Sequence, residues 1–164
     1  MRMERVYTPW RMEYVTGDKL EGCIFCEMAA ASNDRENLIV HRGELGYIVL
    51  NKYPYNNGHF MTAPYRHVAS LEELTADEVA ELMALTALGM RALRETMHPD
   101  GFNVGANIGE AAGAGVKNHF HLHVVPRWSG DNNFMAVLGD VKLIPQMLAE
   151  TREQLAAGIA AINS

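Results

Sequence analysis

Residues 118–128 read Asn118-His119-Phe120-His121-Leu122-His123-Val124-Val125-Pro126-Arg127-Trp128. From His119 to Val125 the character alternates with the period of a β-strand. Successive strand side chains point to opposite faces, so His119, His121 and His123 share one face, about 6.6 Å between neighbours. Phe120, Leu122 and Val124 share the other and suit packing under a helix. Three imidazoles in a row make a poor core face, so the histidine side reads as chemistry.

Two chemistries suit such a row. Alternating histidines chelate a catalytic metal, or one attacks an electrophile while its neighbours tune it and assist the leaving group. A metal site needs three or more ligands around an open position, and no acidic partner lies close in sequence. A nucleophile needs a neutral imidazole with one ring nitrogen bonded and the other bare, and strand carbonyls supply the bond. The loop just before the row, Gly109-Glu110-Ala111-Ala112-Gly113-Ala114-Gly115, is made of small residues. Its backbone can approach a ligand and offer N–H donors to an anion. Together the loop and the row suggest phosphate oxygens held against a nucleophile, with Lys117 and Arg127 as nearby cations.

Outward from this centre the chain alternates strands and helices. Leu38–His41 and Gly46–Leu50 read as short strands around an Arg42-Gly43-Glu44 turn. A turn-rich loop, Asn51–Gly58, leads into a strand at His59–Ala63, closed by Pro64. Leu74–Met97 is the clearest helix: Thr75 and Glu78 form a capping box, and Val79, Leu82, Met83, Leu85, Leu88 and Met90 make an apolar stripe. Its methionines read as core, and Glu73, Asp77 and Glu81 as a solvated face. Phe102–Ile108 is strand-like, and Ile144–Ile162 is a second helix with Pro145 in its first turn. Met1–Tyr14 reads as an irregular arm with aromatic anchors. The order implies an α+β fold with a largely antiparallel sheet.

The bulk numbers agree with one ordinary globular domain: 164 residues, 48% hydrophobic and 21% charged. No apolar run approaches the roughly 18 residues that span a bilayer, and the N-terminus lacks a signal-like stretch, so a cytoplasmic location is expected. The net charge of −6 disfavours a nucleic-acid binder with a broad basic surface. Any phosphate site must be built locally. The two cysteines, Cys23-Ile24-Phe25-Cys26, read as half a zinc site or a redox pair. The polar loop Thr16–Gly22 before them favours metal over the strand–helix setting of a redox pair.

His119–Val125 resembles the H-φ-H-φ-H-φ-φ signature of the histidine triad (HIT) superfamily of nucleotide hydrolases and transferases. Asn51–Pro64 is similar to that family's segment carrying a further active-site histidine, here His59. Cys23–Cys26 resembles its N-terminal zinc half-site, and the likeness extends over most of the chain. Trp10–Tyr14 and His123–Met135 look like the bacterial type of diadenosine tetraphosphate phosphorylase. They look more loosely like the fragile-histidine-triad dinucleoside polyphosphate hydrolases.

The resemblance implies a single HIT domain over residues 1–164, with an arm at 1–14 and a helical C-terminus at 142–164. It implies a mostly antiparallel five-stranded sheet, one long central helix, and a homodimer. His121 would attack the α-phosphorus of a dinucleoside polyphosphate and form a nucleotidyl-histidine intermediate. His123 would contact the α-phosphate and assist the leaving group, with His59 beside it. Asn51 falls at the ribose-binding position, next to Lys52, while Asn107 and the Gly113-Ala114-Gly115 loop fall where phosphate oxygens are held. The acceptor, phosphate or water, stays open, because the hydrolases carry a glutamine where this chain has Ala114 or Gly115. His67 and His119 would join Cys23 and Cys26 as a Cys₂His₂ set, suited to a closed structural zinc, with no organic cofactor. A nucleotide is the expected partner, with neither nucleic acid nor membrane. Two other readings are a nucleotide-binding interaction module with vestigial catalysis and a metal-dependent hydrolase using the histidine row as ligands.

Overall fold

A computed structural model describes residues 22–131 and 144–164. The arm at 1–14 and the stretch 132–135 lie outside the described residues. Five strands form one sheet: β1 (Ile39–Arg42), β2 (Gly46–Leu50), β3 (Phe60–Pro64), β4 (Gly101–Gly105) and β5 (Leu122–Arg127). Their order is β1-β2-β3-β5-β4 and every pairing is antiparallel. Among the described residues three α-helices accompany them: α1 (Ile24–Ala30), α2 (Ala76–Met97) and α3 (Leu148–Ile162). The fold is α+β, as the element order implies.

β2 and β3 are buried along their whole length because both faces of the sheet are covered. On one face Ile48, Leu50, Phe60 and Val124 pack with Leu85, Leu88, Ala92 and Leu93 of α2 and with Leu155 and Ile159 of α3. On the other, Tyr47, Val49, Met61 and Ala63 pack with Phe25 of α1. A hydroxyl pair, Thr62 to Thr86 at 3.1 Å, locks α2 onto β3 with both groups buried. Gly89 lets the two approach: a Cβ there would stand 2.5 Å from the ring of Phe60, which is fully buried.

α2 starts where its cap dictates. Thr75 accepts from the Glu78 amide while the Glu78 carboxylate accepts from the Thr75 amide, so Leu74 stays outside the helix. Such a cap contributes about 1 kcal/mol. Arg66 grips the same carboxylate at 2.6 Å and holds Glu78 down to about 2 from its ordinary 4.5. The connection carrying His67 is thereby pinned to the start of α2. At the other end His98 takes a left-handed conformation and closes the helix.

Several boundaries differ from the sequence reading. α3 begins at Leu148, so Pro145 precedes the helix instead of occupying its first turn. β4 ends at Gly105, short of Ile108, and β3 starts after His59. β5 starts at Leu122, leaving His119 and His121 ahead of the ladder. Met83 is 52% exposed and therefore not core. Glu81 is not merely solvated, since its carboxylate accepts the Leu45 amide at the β1–β2 turn. No helix among the described residues is long and apolar enough to cross a membrane.

Candidate active site and metal cluster

The predicted division of faces holds although the ladder begins late. Phe120 packs with Leu82 and Val68 on the helix side. The three histidines lie on the opposite side, but not as an even row. The His121 and His123 rings meet edge to face at 4.9 Å between centroids. The Phe25 ring lies 5.2 Å from His119 and 4.7 Å from His121. β3 supplies the neighbouring surface, with Met61 opposite His123 in register.

The protonation pattern follows from partners that only donate or only accept. The Nδ1–H of His121 donates to the His119 carbonyl at 2.8 Å, which leaves Nε2 with a bare lone pair. The Tyr55 amide donates to Nδ1 of His59 at 3.0 Å, so neutral His59 carries its hydrogen on Nε2. That Nε2–H donates to Nδ1 of His123 at 3.0 Å. His123 then carries its own hydrogen on Nε2. The result is a bare ring nitrogen on His121 beside a ring N–H donor on His123.

Burial keeps the rings neutral. His59 is fully buried, and desolvation, helped by His123 and His121, lowers it from 6.5 to about 3. Desolvation with the nearby His121 lowers His123 to about 4. His121 is also lowered, chiefly by desolvation, against the pull of the His119 carbonyl. A neutral imidazole is the form that attacks phosphorus.

Two further residues, Tyr55 and Asn56, shape this pair. The Tyr55 ring covers His59 at 4.7 Å and His123 at 5.8 Å. The Asn56 amide donates to the Pro126 carbonyl at 3.0 Å and to Asp131 at 2.8 Å, stapling the loop to β5. Asp131 is also gripped by Arg127 at 2.6 Å. Turn chemistry hides both roles in the sequence, where Tyr55 and Asn56 look like ordinary loop residues.

The substrate-side candidates are placed less uniformly. Asn51 lies against His59, its amide nitrogen 3.5 Å from Nδ1, while its oxygen accepts the Tyr53 amide. Lys52 is exposed, and Asn107 is half-buried beyond the end of β4. In the glycine loop the Gly113 and Ala114 amides donate back to Glu110 and Gly109, whereas Gly115 takes no part in these turn bonds. Gly109 and Gly113 both have positive φ, near +80°, and the space where a Cβ would sit is open at each and at Gly115. Lys117 pairs with Glu110 at 3.1 Å, across the loop.

Cys23, Cys26, His67 and His119 come together, their ligand atoms all within 4.8 Å of one another. The Nε2–H of His119 donates to the Pro64 carbonyl at 2.9 Å, which turns its bare Nδ1 toward both sulfurs at 3.3 and 3.5 Å. Nδ1 of His67 stands 3.4 Å from the Cys26 sulfur. Two cysteine sulfurs and two imidazole nitrogens are the donor types of a tetrahedral zinc site, so the cluster could hold a metal. A carbonyl behind His119 is the outer partner such ligands use. Of the histidine row, only His119 joins a cluster that could hold a metal among the described residues.

An antiparallel sheet that presents a bare imidazole nitrogen and a hydrogen-bonded histidine pair on one face fits a histidine-triad architecture. The chain belongs to the HIT domain family, whose model matches residues 32–130. It is 46% identical over 164 aligned residues to an AP-4-A phosphorylase of Mycobacterium tuberculosis, covering 94% of this chain and 84% of that protein. Among solved structures it resembles a zinc-bound histidine triad family protein from Mycobacterium smegmatis, with TM-score 0.71 and 30% identity over 87% of this chain and 96% of that one. A histidine triad nucleotide-binding protein from Sulfolobus tokodaii matches at TM-score 0.69 and 26% identity, over 86% and 94% of the two chains.

Proposed function

We propose that the chain is a nucleotidyl-transferring enzyme acting on dinucleoside polyphosphates of the diadenosine tetraphosphate kind. The observation that carries this reading is the tautomer pattern: bare Nε2 on buried His121 and Nε2–H on half-buried His123. Nε2 of His121 forms a bond to the α-phosphorus, and the bond from that phosphorus to the bridging oxygen breaks. The rest of the polyphosphate leaves with the electron pair. His123 donates a hydrogen bond to the oxygen on which charge develops, and His59 keeps His123 in the donating tautomer. An oxygen of inorganic phosphate or water then attacks the nucleotidyl-histidine and restores Nε2. Splitting the displacement in two gives each nucleophile its own lower barrier.

Asn51 and Lys52 are assigned to the ribose side, and Asn107 with Gly113, Ala114 and Gly115 to the phosphate side. With a net charge of −6, phosphate must be held by such local groups. The similarity to an AP-4-A phosphorylase favours phosphate as acceptor. The Cys23, Cys26, His67 and His119 set is read as a structural zinc site, supported by its donor types and by His121 and His123 not being among its members. We further infer that residues 1–164 form one domain, working as a homodimer in the cytoplasm. The homodimer alone is supported by an apolar hollow of about 390 Å³, lined in part by Leu71, Met83 and Ile108, close to the sheet's β4 end.

Incubation with diadenosine tetraphosphate decides the chemistry. ADP plus ATP in the presence of phosphate is the expected outcome; AMP plus ATP regardless of phosphate would assign water instead. A nucleotidyl adduct on His121 should be detected by mass spectrometry, and His121→Ala should abolish turnover with the fold intact. Undiminished turnover in that variant, with no adduct in the wild type, sinks the reading.

A further inference from the structure

Phe25 stands between the two cysteines in sequence and against the nucleophile in space. Its side chain is 2% exposed, and its ring lies 4.7 Å from His121, tilted by 31°. Its own carbonyl accepts the Tyr47 hydroxyl at 2.8 Å, and Tyr47 is fully buried. That bond ties the Phe25 backbone to the sheet, and the side chain packs in the cluster of Tyr47, Val49, Met61 and Ala63. The metal-type cluster reaches the nucleophile twice: through the His119 carbonyl on Nδ1 and through Phe25 on the ring face.

One hydrogen bond fixes one direction only. With Nδ1–H on a carbonyl, the His121 ring still swings about that line, carrying Nε2 through an arc. The His123 edge at 4.9 Å limits the swing on one side. Phe25 supplies a second limit and brings neither donor nor acceptor that would capture Nε2. We propose that Phe25 is the positioning residue of His121, and that through it the Cys23–Cys26 segment sets the aim of the nucleophile.

This rests on the proposed nucleotidyl-transfer reading, and the test separates the two. Phe25→Leu and Phe25→Met keep apolar bulk but remove the flat face. For each variant the zinc content, melting temperature, AMP affinity, single-turnover rate of adduct formation and ring-nitrogen NMR signals of His121 are measured. The expected result is unchanged zinc and AMP affinity, with adduct formation slowed roughly tenfold to a hundredfold, as misaligned attack requires. The His121 ring signals should also move away from a single Nδ1–H form. Adduct formation within about twofold of wild type, with unmoved ring signals, overturns the proposal. So does zinc loss in both variants, because Phe25 would then serve the cluster and not the ring. If the wild type forms no adduct, the nucleotidyl-transfer reading fails, and the ring signals alone still judge Phe25.

Discussion

His59 and His123 share a hydrogen bond whose polarity is decided by a backbone amide, that of Tyr55. Because the pair is desolvated, protonating either ring opposes folding. Both pKa values lie below the ordinary 6.5, at about 3 and about 4. Between pH 6.5 and 4 the unfolded chain therefore binds protons that the folded chain refuses. Stability is complete above 6.5 and is lost as pH falls toward 4. The two rings are coupled, so their effects do not add, and a loss of a few kcal/mol is expected across this window. Denaturant melts at steps from neutral to acid pH measure it. His123→Asn should flatten the slope, which separates this effect from acid release of a metal; equal slopes in variant and wild type would contradict it. The alternation of residues 119–125 was enough to place three histidines on one face. It could not show Phe25 against His119 and His121, or Tyr55 over His59, because those contacts join segments far apart in the chain.

α1, β3 and β5 are tied together by side chains at their ends. Cys23 and Cys26 sit at the start of α1, His67 follows β3, and His119 precedes β5. α1 spans only 7 residues, too few to be stable alone, and it escaped the sequence reading for that reason. Its C-x-x-C spacing was legible as half a metal site, while the other half came from family resemblance. The end of β4 and the late start of β5 were not legible, because register with a partner strand decides them and local character does not. A metal holding three separate segments should contribute about 3 kcal/mol or more, which for a chain of this length lowers Tm by roughly 10 °C on removal. Metal analysis should return one zinc per chain. Chelation should lower Tm by that amount and reduce turnover only as the structure loosens. A purified protein without metal whose Tm ignores chelator would refute the assignment, and immediate loss of activity at unchanged Tm would point to a catalytic metal instead.

At the scale of the whole molecule the notable surface is the β4 end of the sheet, which no further strand flanks among the described residues. Val104 pairs in register with Val124, the residue that packs under α2, so Val104 lies on the helix side. It is 45% exposed, as are Leu71, Met83 and Ile108 to a similar degree. The stripe reading of α2 put Met83 in the core; its exposure is what a sequence cannot separate, since an interface and a core select the same residues. A strand edge beside an apolar patch is self-complementary under a two-fold axis, each copy offering the other the same groups. Met83→Glu would place a charge in that patch twice per dimer, desolvated and facing its own copy. Sedimentation should show the wild type as a dimer at micromolar concentration and the variant as a monomer, its dissociation constant raised about a hundredfold or more. Because Met83 lies across the sheet from His121, adduct formation by the monomeric variant would show that each site is complete within one chain. A monomeric wild type, or a variant that stays dimeric, would mean that this patch serves something other than a second copy.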